Sequence, residues 1–428
     1  MPKSPEGVTA DVASPQVASA RVKTPRAMWL LGPALVAGVA YLDPGNVASN
    51  MTAGAQYGYL LVWIVVVGNV MAWLIQYLSA KLGIVTGQSL PDVLGTRIRN
   101  PWARRAYWLQ AELVAMATDV AEVIGGAVAL YLLFNLPLIW GGLITGTVSI
   151  ALLVLQSRRG PRTFETVVIG LMAIITIGFV AGVFAGPPDP AGIVSGLVPR
   201  FADTGSVLLA ASILGATIMP HAIYAHSALA RDRFVPAGLA TRSLPVPRLL
   251  RATRWDVTIA MIIAGTVNLC ILLLAAANLA GVEGTDSLEG AYAALQAGLG
   301  PVIATLFAVG LLASGLASTS VGAYAGAEIM KGLLRMRVPL LLRRAVTLIP
   351  ALALLASGFD PTLALVLSQV VLSFGIPFAL VPLVVLTAQR RTLGEYRNRS
   401  LTTVAGAVSA VALIALNGVL LVLVFTGA

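Results

Sequence analysis

The chain has 428 residues, of which 58% belong to the apolar and aromatic types and only 11% are charged. Soluble domains carry about 25% charged residues, so a water-soluble enzyme of this size is excluded. The net charge of +10 does not indicate a nucleic-acid partner, because the basic residues fall in short groups between long apolar runs. The composition therefore indicates an integral membrane protein.

A helix that crosses a bilayer needs about 20 apolar residues, whereas a strand of a membrane barrel needs about 10. The apolar runs of this chain have helical length, and residues 1–27 form a polar tail without an apolar core. We predict eleven spans, numbered in chain order: 29–54, 58–80, 106–132, 137–156, 164–185, 205–230, 255–280, 301–330, 339–357, 361–387 and 402–425.

The distribution of basic residues between the spans predicts the orientation of the chain. If eleven spans are correct, 27 of the 28 Lys and Arg residues lie on one side of the membrane, and Arg200 alone lies on the other. Positively charged loops remain on the cytoplasmic side. We therefore expect a multi-pass protein of a bacterial-type plasma membrane, with a cytoplasmic N-terminus and an external C-terminus.

Two spans contain a helix-breaking motif at their centre. Span 1 carries DPGN at residues 43–46, and span 6 carries MPH at residues 219–221. Proline removes a backbone donor and clashes with the preceding turn. Breaks five spans apart are typical of transporters built from two inverted repeats, whose paired broken helices form the central site. The predicted divisions are a tail, two five-span repeats and a last helix: 1–27, 28–200, 201–388 and 389–428.

The residues at the two breaks suggest a cation site. Asp43 is a carboxylate at mid-membrane depth, where insertion costs at least about 2.5–3.5 kcal/mol, so a functional role as a ligand and proton acceptor is favoured over a structural ion pair. Asn46 and the freed carbonyls of Ala40 and Ala216 offer further oxygens. Met219 adds a thioether, which suits transition metals better than Mg²⁺ or Ca²⁺. Together these donors suggest Mn²⁺ or Fe²⁺, although Met also fills apolar gaps routinely.

Span 3 carries three acids whose spacing places them on one helical face: Glu112, Asp119 and Glu122. Acids inside a membrane mark proton paths or water-lined grooves. The alternative is a structural cluster paired with Arg343 and Arg344 at the start of span 9. That alternative fits Glu112 best, and the two interpretations are compatible.

Other polar residues in the spans have open roles. His221 adjoins the second break and is favoured over His226 for carrying protons or binding metal, yet either can be a hydrogen-bonded packing residue. Asn69, Asn268 and Gln369 form a belt of amides that can simply link helices. Gln369 is the candidate for an occasional metal ligand.

The two break motifs resemble those of the Nramp transporters, which couple the uptake of divalent transition metals to protons. The resemblance extends through three further segments: QAELVAMATDVAE at 110–122, LLASGLASTSVG at 311–322 and LVLSQVVLSFGIPFALVPL at 365–383. It implies an all-α membrane protein of the LeuT type with eleven helices. The implied metal ligands are Asp43, Asn46, Met219 and the Ala216 carbonyl, joined in some conformations by the Ala40 carbonyl and Gln369. The residues implied in proton movement are Glu112, Asp119, Glu122, His221, Arg343 and Arg344.

The expected function is a secondary transporter that imports Mn²⁺ or Fe²⁺ with protons by alternating access. No nucleotide-binding loop, zinc-protease motif or serine triad is evident, so we expect neither an enzyme nor a bound cofactor, and the metal is cargo. The expected partners are metal ions, protons and the lipid bilayer, without nucleic acid or an obligate protein. Another cation or amino-acid symporter of the same fold, a cation channel and a non-transporting receptor remain alternatives.

Overall fold

A computed structural model describes residues 32–159, 161–235, 244–336 and 339–426. The predicted tail at residues 1–27 lies outside these ranges. Within them the chain is helical and contains no strand. The helices are, in chain order, α1 (Pro33–Val39), α2 (Pro44–Tyr57), α3 (Val62–Thr86), α4 (Leu90–Arg97), α5 (Pro101–Phe134), α6 (Leu138–Arg159), α7 (Pro161–Ala185), α8 (Pro190–Gly196), α9 (Thr204–Thr217), α10 (Pro220–Phe234), α11 (Val246–Asn278), α12 (Leu288–Leu299), α13 (Pro301–Ile329), α14 (Leu340–Ala356), α15 (Pro361–Ala388), α16 (Arg390–Leu393) and α17 (Ser400–Thr426).

Every predicted span coincides with a helix or with a broken pair of helices. Among the described residues, eight of these segments are long and apolar enough to cross a membrane. Spans 1, 4 and 9 correspond to the pair α1 and α2, to α6 and to α14, which are shorter or less uniformly apolar. The all-helical membrane fold is thus confirmed, and the count of eleven spans stays a prediction.

Several helices extend beyond the apolar run that predicted them. The helix of span 3, α5, begins at Pro101, where the Asn100 side chain caps the first turn. The helix of span 2, α3, ends at Gly87, which adopts a left-handed conformation with φ 70°. The apolar run reflects the thickness of the bilayer, whereas capping residues end the helix itself. The short helices α4, α8 and α12 lie between the spans and carry no apolar signal of sufficient length.

The broken helices lie at the centre of the molecule. In the helix packing, α2 contacts α11, α10 contacts α3, and α9 contacts α15, while α13 contacts both α5 and α7. The most apolar part of the α9–α10 pair is 94% buried, compared with 33% for α17. The outer helices instead expose large apolar side chains, as expected of surfaces that face lipid. This arrangement isolates the two breaks from the bilayer.

Candidate metal site and acid–arginine cluster

The first break separates α1 from α2. After α1 the chain makes one 3₁₀ turn, Ala40–Leu42, and Asp43 then adopts an extended conformation. The Asp43 side chain caps α2 by accepting a hydrogen bond of 2.8 Å from the Asn46 backbone N–H. Pro44 follows as the first helical residue, a position where a missing N–H costs nothing. The local sequence therefore ends one helix and starts the next around a buried carboxylate.

The second break separates α9 from α10, and a hydrogen bond connects it to the first. Met219 precedes Pro220 and is fully buried. The Asn46 side-chain amide donates to the Tyr41 carbonyl at 2.6 Å and contacts the Ala216 carbonyl at 3.5 Å. Ala216 lies in the last turn of α9, so the predicted residues of both spans meet as expected.

Gln369 on α15 completes the surroundings of Asp43. Its side-chain nitrogen donates to Asp43 Oδ2 at 3.1 Å, while its Oε1 is buried and accepts no hydrogen bond from the described residues. A Cβ on Gly45 would overlap the Gln369 amide, so glycine is required for this close approach. Gln369 thus presents an unpartnered oxygen beside the break, as its candidate role requires.

The electrostatics of the break favour a cation. Among the described residues, no Lys or Arg pairs with Asp43, whose side chain is fully buried. The Ala40 turn and the end of α9 direct helix C-termini towards the breaks, and these ends carry partial negative charge. The described residues contain no group of three or more His, Cys, Asp or Glu side chains arranged to hold a metal, so this site differs from the usual metal centre of such residues. The donors predicted for it are one carboxylate, amide and carbonyl oxygens, and the thioether of Met219, which directly precedes α10.

The three acids of α5 lie against the two arginines of α14, so the predicted shared face is confirmed. Arg343 Nε bonds Glu112 at 2.9 Å, and its terminal nitrogen lies 3.0 Å from Asp119 Oδ2. Arg344 lies 2.9 Å from Asp119 Oδ1 and 3.4 Å from Glu122 Oε2. The arginines therefore pair with all three acids, which extends the structural alternative beyond Glu112. We call these five residues the acid–arginine cluster.

Glycines on α13 make room for the acid–arginine cluster. A Cβ on Gly326 would overlap the Arg343 guanidinium, and one on Gly322 would lie 3.1 Å from Glu122 Oε1. The side chains of Arg343 and Arg344 are only 2% and 1% exposed. The cluster is consequently a buried, almost charge-compensated chain that runs along α5 beside the breaks.

The two histidines lie in separate hydrogen-bonded environments. His221 Nδ1 is 3.2 Å from the Thr118 hydroxyl, one residue before Asp119 on α5. His226 Nδ1 is 2.6 Å from Gln76 Oε1. In each ring the Nε2 atom has no hydrogen-bond partner among the described residues. His221 thus lies between the second break and the acid–arginine cluster, whereas His226 packs against α3.

Several polar contacts at the first break were not predicted. Ser314 on α13 donates to the Leu42 carbonyl, and Asn268 donates to the Tyr41 carbonyl at 3.0 Å. The Tyr41 hydroxyl accepts from Gln76, which also contacts His226. The only sequence signal for Ser314 and Gln76 was a polar side chain within an apolar run, which does not identify its partner.

A cavity of about 320 Å³ lies at the outer ends of α2, α9 and α15, on the side predicted to be external. Its lining residues are Thr52, Gln56, Gly205, Leu208, Leu209, Asp286, Ser287, Asp360, Thr362, Leu363 and Val366. Beside it, the Tyr57 hydroxyl donates to Asp203 Oδ1 at 2.7 Å and lowers the pKa of this carboxyl. This bond joins the outer halves of the two broken helices.

The chain matches the family model described as "Natural resistance-associated macrophage protein-like" over residues 34–423. It is 60% identical over 399 residues to the divalent metal cation transporter MntH of Mycobacterium tuberculosis H37Rv, covering 93% of this chain and 92% of the relative. The Bacillus subtilis 168 protein of the same name is 47% identical over 397 residues, with 92% and 91% covered. The solved structure of the Eremococcus coleocola manganese transporter, with a bis-isothiourea compound, superposes with a TM-score of 0.81 at 32% identity, covering 94% and 90%.

Proposed function

Because the chain belongs to the Nramp family, we propose that it is a proton-coupled importer of divalent transition metals, with Mn²⁺ or Fe²⁺ as cargo. The chain is a membrane transporter with the expected LeuT-type fold, not an enzyme. The relatives are named as divalent metal cation transporters and a manganese transporter. The observation that carries the proposal is the buried carboxylate of Asp43 at the helix breaks. It accepts hydrogen bonds from a backbone N–H and a side-chain amide, and no Lys or Arg among the described residues pairs with it.

The metal ligands in this proposal are Asp43, Asn46, Met219 and the Ala216 carbonyl, with Ala40 and Gln369 joining in some conformations. Asp43 supplies the negative charge, and the contact between Asn46 and the Ala216 carbonyl keeps the two breaks within reach of one ion. The Asn46 Oδ1 atom already accepts from Asn50 at 2.6 Å and retains capacity for a metal. Met219 provides the soft donor that favours Mn²⁺, Fe²⁺ or Cd²⁺ over Mg²⁺ and Ca²⁺.

The proton route in this proposal runs from Asp43 through His221 to the acid–arginine cluster. His221 contacts Thr118, which neighbours Asp119 on α5, so the histidine links the second break to the acids. Three carboxylates facing two guanidiniums leave room for one shared proton without an uncompensated charge. In this proposal both cations interact with Asp43, but the proton then leaves through His221 and the acid–arginine cluster, whereas the metal does not.

Alternating access follows from the broken helices. Asp43 and Met219 are fully buried, which is the arrangement expected of an occluded site. We propose that metal arrives through the outer cavity, and that loss of the bond between Tyr57 and Asp203 accompanies movement of the outer half-helices. An occluded site supports a carrier rather than a channel. The proposed setting is the plasma membrane, with the N-terminus cytoplasmic and the C-terminus outside.

The test is Mn²⁺ uptake by the purified chain in liposomes, with and without an inward pH gradient. We expect saturable uptake that the gradient accelerates, together with acidification of the lumen. Empty liposomes, and liposomes given an ionophore that collapses the gradient, are the controls. Uptake that does not saturate would indicate a channel, and uptake indifferent to the gradient would contradict proton coupling.

A further inference from the structure

A second cavity lies at the other end of the molecule, on the side that carries most of the basic residues. It measures about 370 Å³ and is lined by Thr96, Arg97, Arg99 and Arg391. The first three residues end α4 and begin the connection to α5, and the last belongs to α16. Among the described residues, no carboxylate lines this cavity, whereas the cavity beside Arg397 and Arg399 includes Glu395. We call it the arginine cavity.

The positive charge of the arginine cavity is not neutralised by its protein partners. The Arg97 guanidinium is held by two bonds of 2.6 Å to Gln389 Oε1 and the Thr392 hydroxyl, which are uncharged acceptors. Among the described residues, no acid pairs with Arg99 or Arg391. Three guanidiniums that line one cavity repel each other, and an anion between them relieves that repulsion.

The arginine cavity adjoins side chains that are typical of the interface between membrane and water. Trp102, at the start of α5, is 72% exposed, and the Arg105 guanidinium stacks 5.0 Å from its ring. Exposed tryptophans are enriched at the interface between membrane and water. On the opposite loop, α17 begins at Ser400 and immediately exposes Leu401, at 81%. Both walls of the cavity therefore adjoin the first lipid-facing turns of spanning helices.

We propose that the arginine cavity binds a phosphate-bearing anion, and that this anion is the head group of an acidic phospholipid in the adjacent leaflet. Guanidinium groups bind phosphate oxygens in pairs with good geometry. Groups of basic residues immediately next to the cytoplasmic ends of spanning helices are suited to anionic head groups. Arg97, already fixed to α16 and the end of α15, provides a rigid wall, while Arg99 and Arg391 close on the phosphate.

The experiment is native mass spectrometry of the full chain in detergent, with phosphatidylglycerol or phosphatidylcholine added at equal concentration. A second arm adds inorganic phosphate as a competitor. The double variant R99A/R391A removes two cavity charges, and the matched control R248A/R251A removes two exposed charges from the start of α11, on the same side. None of these four residues belongs to the proposed transport machinery, so Mn²⁺ uptake verifies the folding of each variant.

We expect phosphatidylglycerol to be retained in preference to phosphatidylcholine. Its affinity should fall about tenfold or more in R99A/R391A but not in the control, since only that variant removes two of the guanidiniums that face the head group. Retention that inorganic phosphate does not reverse identifies the lipid as the source. Phosphate binding without lipid preference, lost in R99A/R391A, identifies the free ion. Equal losses in both variants, or none in R99A/R391A, would overturn the proposal.

Discussion

Two buried polar regions adjoin each other in this molecule, the helix breaks and the acid–arginine cluster, and their carboxylates have different hydrogen-bond partners. At the breaks, Asp43 is held by a backbone N–H and by the Gln369 amide. In the acid–arginine cluster, every acid lies within 3.4 Å of a guanidinium nitrogen. Both regions are almost free of solvent contact. The difference lies in the partner of the carboxylates: neutral amides in one region and cations in the other.

This difference makes the two regions suited to different cations, a metal ion and a proton. A buried carboxylate without a protein cation is costly, and an incoming metal ion removes that cost. Carboxylates already paired with arginine gain little from a metal, but three carboxylates beside two guanidiniums can share and pass on one proton. We therefore propose that metal binds at the breaks and that protons move from Asp43 into the cluster, and the following variants test this assignment.

The largest effect is expected for Asp43→Asn. The amide keeps the size of the side chain and removes the charge that the metal compensates. We expect Mn²⁺ uptake in liposomes to fall about 100-fold or more, since loss of one member of a buried charge pair costs about 3–5 kcal/mol. Asp189→Asn, at the exposed cap of α8, is the matched control and should transport normally. Near-normal uptake by the Asp43 variant would refute the assignment of metal to the breaks.

The next effect is expected for Asp119→Asn and Glu122→Gln. Each variant removes a carboxylate that can accept a proton within the acid–arginine cluster, beside Arg344, and leaves the breaks intact. Proton influx, followed with a pH-sensitive dye, should fall about tenfold, because hydrogen bonds to charged groups contribute about 1.5–3 kcal/mol. Metal affinity should change much less.

The control for the acid variants is Glu283→Gln, which removes an exposed acid outside the spans. Calorimetric metal binding and dye-reported proton influx are compared on the same preparations. Equal proportional losses in binding and influx would argue that the acid–arginine cluster is structural.

The helices and the breaks were largely predictable from sequence, because the length of an apolar run and the position of a proline act on the local backbone. The burial of Arg343 and Arg344 was not predictable in this way. Sequence placed Arg343 and Arg344 at the cytoplasmic start of span 9, whereas the structure buries both against the acids of α5. Gly326 makes this burial possible from α13. Helical spacing identifies the face of a residue, but not the helix that packs against that face.

The same limitation applies to the first break. Asp43 and Asn46 were evident from their motif, since both lie within four residues of a helix-breaking Pro-Gly pair. Ser314 and Asn268, which satisfy carbonyls freed at that break, come from distant spans. Their contacts depend on how the helices pack, which a single sequence does not encode in any local pattern.

A smaller, selective effect is expected for Met219→Ala. The oxygen donors of the breaks accept hard and borderline ions alike, so the thioether should carry the discrimination. We expect Mn²⁺ transport to persist in part. Cd²⁺ transport should fall about tenfold more than Mn²⁺ transport, which corresponds to a loss of about 1.4 kcal/mol. Ca²⁺ or Mg²⁺ should then compete with Mn²⁺. Competition uptake assays measure these ratios.

The control for this variant is Met261→Ala, which truncates a buried methionine of α11 that is not a proposed metal ligand. It reports the effect of lost packing alone. If Met219→Ala leaves Ca²⁺ and Mg²⁺ excluded, and lowers Cd²⁺ no more than Mn²⁺, the thioether is a packing group and selectivity originates elsewhere.

The smallest effect is expected for Tyr57→Phe, which removes a contact between the outer half-helices and leaves both buried polar regions unchanged. The Tyr57 hydroxyl lowers the pKa of Asp203, so this bond stabilises the fold above the ordinary carboxyl pKa and is lost as pH falls through the lowered value. Without the hydroxyl, the pKa of Asp203 returns towards its ordinary range, so Tyr57→Phe should be less thermally stable than the unmodified chain near neutral pH, and this difference should shrink as pH falls through the lowered pKa. Tyr59→Phe, whose hydroxyl accepts from the backbone N–H of Asp189, should show no such pH-dependent difference. Coincident acid profiles for Tyr57→Phe and the unmodified chain would mean that this bond does not hold the outer half-helices together.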